Sequence, residues 1–253
     1  MKIDTFLIND ELDILELRLQ VLDGIIDHFV LVESTVEFSG RIKPLYYNDN
    51  KHRFDNWNDK ITHIIVNDTP DSGNNRWARE HFQRNAIIRG LNNCKNQDLV
   101  LMSDVDEIPD IDAIKSNKQG GYRQVYSMYY ANVICATESW VGTTALKCSQ
   151  YKLSGPQNIR NNRYTLPIVH PGGWHFSYMM TVDQIHSKLK AFSHSEYDIE
   201  LIHSTIENQI DGLRDLFNAH EKPLEVIDIA TGYFPDYLKN NLEKYTKFIK
   251  EFV

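Results

Sequence analysis

The chain has 253 residues, enough for one large α/β domain or two small ones, and its 42 % hydrophobic and 25 % charged content is that of a soluble globule. Its 27 basic against 35 acidic residues give a net charge of −8, which argues against a general nucleic-acid surface and requires any anionic ligand to be neutralised locally. Cys94, Cys135 and Cys148 are odd in number and lack metal-like spacing, so they support neither a disulfide framework nor a zinc site and fit a reducing compartment. No secretory leader is visible, and no segment reaches the about 18 apolar residues of a membrane span. A cytoplasmic protein without an integral membrane segment is expected.

Ile3 to Ile8 is predicted as a strand. Asn9 or Asp10 then caps a helix with the stripe Leu12, Leu15, Leu19 and Leu22, and Gly24 stops it. Two further strands, His28 to Val32 and Ile61 to Val66, end at Glu33-Ser34 and Asn67-Asp68. A helix over about Trp77 to Asn93 precedes an apolar strand, Leu99 to Met102, and Pro109 opens a short helix through Ile114. Strands apolar on both faces and alternating with helices predict a mainly parallel sheet covered by helices. From Gly120 to about Ile168 the Tyr/Val-rich chain predicts a smaller antiparallel part with long loops. Thr181-Val-Asp183-Gln184 reads as a capping box, and two helices follow, near Thr205 to Phe217 and Pro235 to Phe252.

The chemistry concentrates in Ser103-Asp104-Val-Asp106-Glu107, where the apolar strand stops at three carboxylates. In open α/β sheets the carboxyl end of a strand is where ligands bind. Asp104 and Asp106, two apart on extended backbone, are expected to point the same way, and a hard cation such as Mg²⁺ or Mn²⁺ would relieve their repulsion. Helix capping accounts for one of these carboxylates but not three. In Gly172-Gly-Trp-His175-Phe-Ser-Tyr178, the histidine is a candidate third ligand; alone it would read as a core residue. Glu80, Gln83 and Arg84 share a helix face, by default a solvated one with a Glu80–Arg84 pair; the functional reading has Arg84 neutralise phosphate or pair with the acidic cluster. Lys188 and His194 are candidates to offset charge on a leaving diphosphate, although either taken singly reads as a solvated surface residue. No G-x-S-x-G, Walker A or G-x-G-x-x-G pattern occurs.

These residues resemble glycosyltransferase family 17 over nearly the whole chain. The markers are Asp4 to Asp13, Phe29 to Ser34, Gln83-Arg84-Asn85, Ser103 to Pro109, Trp140-Val-Gly-Thr143, Gly173 to Ser177 and Pro235 to Asn240. The resemblance implies a GT-A-type fold in one domain, with a nucleotide-sugar-binding half over 1–119 and an acceptor-side half over 120–253. It also implies a metal-dependent, inverting transfer of a sugar, N-acetylglucosamine from UDP-GlcNAc, to a glycan hydroxyl. Asp104, Asp106 and His175 then hold Mn²⁺ or Mg²⁺, and Asp104, Asp106, Arg84, Gln83, Lys188 and Glu33 contact the donor. Asp183, Glu138 and Glu107 are the candidates for the base that takes the hydroxyl proton. Because the chain starts at the catalytic domain, a bacterial or viral type of member is expected, with an acceptor other than an N-glycan. Two rivals remain: a haloacid-dehalogenase-like phosphohydrolase, from the Asp104-Val-Asp106 pattern, and a non-catalytic carbohydrate-binding protein using its aromatic surfaces.

Overall fold

The computed structural model describes residues 1–217 and 224–252. Strands β1 (Lys2–Ile8), β2 (His28–Ser34), β3 (Ile61–Val66) and β4 (Leu99–Asp104) lie side by side in the order β4-β1-β2-β3, all parallel. Both faces of β1, β2 and β4 are buried, as their sequences require, whereas β3, at the edge of the sheet, is mostly half-buried and leaves Ile65 exposed. Phe6, Phe29, Leu31, Leu99 and Leu101 pack on one face under helix α1 (Leu12–Leu22). Ile3, Leu7, Val30, Val32, Val100 and Met102 pack on the other with Ile87, Leu91 and Tyr151. The chain steps outward from β1 to β2 and β3, then returns to place β4 on the far side of β1. That reversal opens a crevice at the carboxyl ends of β1 and β4.

The sheet continues antiparallel from β4. Strand β5 (Glu107–Pro109) comes first in the chain, then β6 (Gly120–Met128), β7 (Val133–Ile134), β8 (Trp140–Lys147), β9 (Ile168–Val169), β10 (Gly173–Ser177) and β11 (Glu225–Val226). β8 lies between β4 and β6, and β10 pairs with both β6 and β5. The central sheet is thus mostly parallel and flanked by helices, with a mixed extension. In it, β4, β8, β6, β7 and β11 run antiparallel in turn, while β9 and β10 pair parallel with β6. Among the described residues, no helix is long and apolar enough to cross a membrane.

Several local expectations are corrected. Neither Asn9 nor Asp10 caps α1 through its side chain; Glu11 is the cap residue, and its carboxylate accepts the Asn9 N–H at 3.0 Å. The long helix over 77–93 is two pieces, α2 (Arg76–Asn85) and a turn at Ile87–Gly90, where a Cβ on Gly90 would stand 2.3 Å from Val30 Cγ1. Pro109 belongs to β5, opposite Gly173, and Asp110 caps the following helix by accepting from Ala113 N. Residues 148–161 are not strand and loop but two helices, α3 (Cys148–Ser154) and α4 (Pro156–Asn161). Cys94 and Cys148 form a disulfide across 54 residues, whereas Cys135 is free and buried. The capping box at Thr181–Gln184 is present and starts α5 (Val182–Ala191), whose Ile185 and Leu189 are buried. The C-terminal helices are shorter than predicted, at Glu200–His203, Ile206–Asp211 and Asp236–Asn240, the last followed by 3₁₀ turns.

Candidate active site

The acidic segment is shaped from beneath by a residue with no obvious chemical role in the sequence. Arg18, on α1, is fully buried and paired through two 2.7 Å bonds with Asp4. Its remaining N–H groups donate to the carbonyls of Asp104, Val105 and Glu107 at 3.0–3.1 Å and to Ser103 Oγ at 2.7 Å. One planar guanidinium satisfying three carbonyls in four residues forces the chain to turn at Val105-Asp106. Asp104 and Asp106 therefore do not lie on continuous extended backbone, and they meet different partners.

Asp104 accepts from Arg84 Nη2 and from Arg160 Nη2, both at 2.9 Å. Burial opposes its ionisation, but the charges of Arg160 and Arg84 hold its carboxyl well below the usual carboxylate range. Arg84 also bonds Glu80 and Gln157 at 2.8 Å, so the pair with Glu80 and the pair with the acidic segment coexist in one network. Arg160, on α4, donates two 2.8 Å bonds to Glu107 and one of 2.7 Å to the Gly142 carbonyl. Gly142 is required there, because a Cβ would stand 2.8 Å from the Glu107 carboxyl carbon.

Asp106 faces the other way. The β5–β10 pairing sets His175 opposite Glu107, which brings His175 Nε2 to 3.8 Å from Asp106 Oδ2. Lys188 Nζ, from α5, stands 3.6 Å from the same oxygen and 3.2 Å from Glu11 Oε1. Burial pushes the Asp106 carboxyl up, but Lys188 and His175 more than offset it and keep it below its ordinary range. His175 is buried, and its Nδ1 has no hydrogen-bond partner among the described residues.

These groups line a cleft of about 400 Å³ that runs along the β1/β4 crevice. Asp104, Asp106, Glu107, Gln83, Arg84, Lys188, His175 and His194 all border it, as do Glu11, Glu80, Gln157 and Arg160. Glu33, Glu138 and Asp183 do not line it. Glu33 is fully buried at the end of β2, where it accepts from Tyr47 N and bonds His63 Nε2 at 3.0 Å. Asp183 is exposed in the first turn of α5, and Glu138 is half-buried before β8. Glu107 borders the cleft, but its two oxygens accept four N–H groups: one from Trp140, one from the Asp104 backbone and two from Arg160. With its lone pairs committed, it braces the turn rather than taking a proton.

Sequence reasoning missed Arg18, Arg160, Gln157 and Glu11. Arg18 interrupts an apolar helix stripe, which is a usable signal for a buried, paired charge. Gly155-Pro156 marks the start of α4, with Gly155 at φ 81° and proline in the first helical turn, and so announces the helix that carries Gln157 and Arg160.

The family model described as Glycosyltransferase family 17 matches residues 2–219. The chain belongs to this family. The rat beta-1,4-mannosyl-glycoprotein 4-beta-N-acetylglucosaminyltransferase is 22 % identical over 94 % of this family 17 chain and 52 % of its own length. The human protein of the same name is 22 % identical over 75 % of this chain and 43 % of its own length. The family 17 chain thus spans about half the length of the curated relatives it matches.

Proposed function

We propose that this chain is a glycosyltransferase with a GT-A-type fold, transferring N-acetylglucosamine with inversion from UDP-GlcNAc to a glycan hydroxyl. The acidic turn at the β1/β4 crevice carries the reading, with Asp106 turned toward a histidine and a lysine inside the cleft. The family and the names of the two relatives support the sugar. In the transfer, the acceptor oxygen bonds the anomeric carbon while the bond from that carbon to the diphosphate breaks. Its electron pair stays with the diphosphate, and the hydroxyl proton passes to a carboxylate.

The donor set suits a divalent cation held mainly by its substrate. Among the described residues, no group of three or more His, Cys, Asp or Glu side chains is arranged to hold a metal. Asp104 is committed to two arginines, which leaves Asp106 and the under-bonded imidazole of His175. One or two carboxylates, together with substrate phosphates and water, is how Mg²⁺ is commonly bound beside a nucleotide; Asp106 would be that carboxylate, with His175 beside it. Such a cation supplies positive charge where the leaving diphosphate gains negative charge.

For the proton, Glu80 is favoured among the cleft carboxylates because one of its two partners is a hydroxyl. Glu107 accepts four N–H groups, Asp104 faces two arginines, Asp106 would hold the cation, and Glu11 is tied to Lys188 and the Asn9 N–H. Glu80 accepts from Arg84 on one oxygen and from the Ser193 hydroxyl, at 2.5 Å, on the other. Glu80→Gln is expected to lower kcat by about 10²–10⁴-fold while UDP affinity changes little. Equal losses in both would assign Glu80 to donor binding instead.

The direct test of the function is a panel of nucleotide sugars with and without Mn²⁺, read by thermal shift and by transfer to glycan acceptors. UDP-GlcNAc with Mn²⁺ is expected to raise Tm most and to turn over. Phosphate release from simple phosphoesters exceeding any sugar transfer would establish the phosphohydrolase. Glycan binding indifferent to nucleotide and metal would establish the binding protein.

A further inference from the structure

The cation beside Asp106 is one that the chain itself supplies. Lys188 Nζ lies between Glu11, which follows β1, and Asp106, which follows β4, and sits 5.3 Å from the centre of the Tyr178 ring. Its side chain is 21 % exposed, toward the cleft. Glu11 is itself fixed, because its other oxygen accepts from Asn9 N at 3.0 Å. The two contacts differ in kind. The Glu11 contact is a hydrogen bond at 3.2 Å, while the Asp106 contact, at 3.6 Å, is charge attraction without one. Lys188 is thus tethered at Glu11 and leans on Asp106.

We infer that Lys188 competes with the divalent cation for Asp106, so that the metal is taken up together with the donor diphosphate rather than before it. This rests on the metal-dependent reading above. A dication on Asp106 and an ammonium 3.6 Å from the same oxygen repel each other strongly in a half-buried cleft. Without a nucleotide the ammonium stays with the carboxylates around it, Glu11 and Asp106 in contact and Asp10 close enough to feel its charge. A bound diphosphate changes this by offering new anionic oxygens within reach of a side chain pivoting on Glu11. The ammonium then moves onto the phosphates, Asp106 becomes available to the metal, and both cations end on the leaving group. Linkage is reciprocal: the factor by which UDP strengthens metal binding is the factor by which the metal strengthens UDP binding.

The test measures Mn²⁺ binding by paramagnetic resonance of the free ion, with and without UDP. The proteins are the native chain, Lys188→Met, Glu11→Gln, Asp106→Asn and Lys190→Met, each checked for its native circular dichroism. The native chain is expected to bind Mn²⁺ weakly alone and at least about tenfold more tightly with UDP. Lys188→Met should bind Mn²⁺ alone about tenfold more tightly than the native chain, and UDP should add less than it adds in the native chain, the remaining gain being what the phosphates themselves supply. Glu11→Gln should move the other way, because the untethered ammonium is left to Asp106. Lys190→Met alters an exposed charge on the same helix and should change neither value. If Lys188→Met binds Mn²⁺ no more tightly than the native chain while Asp106→Asn loses the metal, the metal site stands and the competition is overturned. If Asp106→Asn binds Mn²⁺ as the native chain does, or no protein binds it even with UDP, the site itself is overturned and the competition with it.

Discussion

Asp106→Asn is expected to reduce sugar transfer by at least about 10²-fold, because Asp106 would hold the cation that faces the leaving diphosphate, and a group that stabilises charge developing on a leaving atom is commonly worth about 10²–10³ in rate. The substitution is nearly isosteric and keeps the features that shape the turn. Arg18 grips the carbonyls on either side of Asp106, and the Asp106 carbonyl accepts from Phe176 N at 2.9 Å whichever side chain is present. Lys188 keeps Glu11. The loss therefore falls on the charge facing the cleft. The native carboxyl lies below its ordinary range because Lys188 and His175 outweigh burial, so it is anionic at any working pH, and the asparagine removes a full charge. A carboxylate depressed on folding stabilises the protein above its unfolded pKa, about 3.9, and that contribution fades as pH falls through the folded value. The variant should therefore lose a little stability at neutral pH and none in strong acid. Transfer kinetics beside thermal unfolding at pH 7 check both statements. Turnover equal to the native chain's would remove Asp106 from the site.

The parallel half of this protein was legible because its signals are local. Each of the strands β1 to β4 is an apolar run bounded by polar or turn residues, and α1 and α5 carry their stripes in the order expected. The acidic end of β4 was legible for the same reason: an apolar strand that stops at three carboxylates at the edge of a parallel sheet. What faces those carboxylates was less so. His175 arrives through the β5–β10 pairing, a contact across 68 residues, and was found only through its glycines and aromatics. Arg160 arrives on a helix in a stretch whose flanking Tyr/Val-rich runs suggested strand, so the Gly155-Pro156 signal was passed over. Glu33 has the position of a site residue, at a strand's carboxyl end, yet its oxygens are consumed by Tyr47 N and His63. The pairing of Cys94 with Cys148 joins the loop before β4 to the start of α3, a proximity that no spacing rule reveals.

Arg160→Met is expected to cost about 3–5 kcal/mol of stability, the range for removing one partner of a buried ion pair. At about 2–4 °C per kcal/mol for a chain of this size, Tm should fall by about 10 °C. The cause lies in what is left behind. Glu107 is fully buried and would keep only the Trp140 and Asp104 N–H groups after losing both Arg160 bonds. The Gly142 carbonyl loses its 2.7 Å donor as well. Neutralising the orphaned charge should restore much of the loss, so Arg160→Met combined with Glu107→Gln should be more stable than Arg160→Met alone. That non-additivity is the signature of a pair acting as a unit. The acid limb gives a second check. Arg160 and Arg84 depress the Asp104 carboxyl against burial, so the native chain gains stability above the unfolded pKa of about 3.9 and loses it as pH falls below. With Arg160 removed the depression is smaller, and the decline in Tm toward acid should be shallower than in the native chain. Transfer should suffer beyond what unfolding explains, because Arg160 ties the acidic turn after β4 to helix α4. A turn that has lost its tie to α4 no longer sets Asp106 against His175 and Lys188 as firmly. An Arg160→Met protein that melts at the native temperature would show that the buried charges are satisfied elsewhere and that α4 is not what braces the turn.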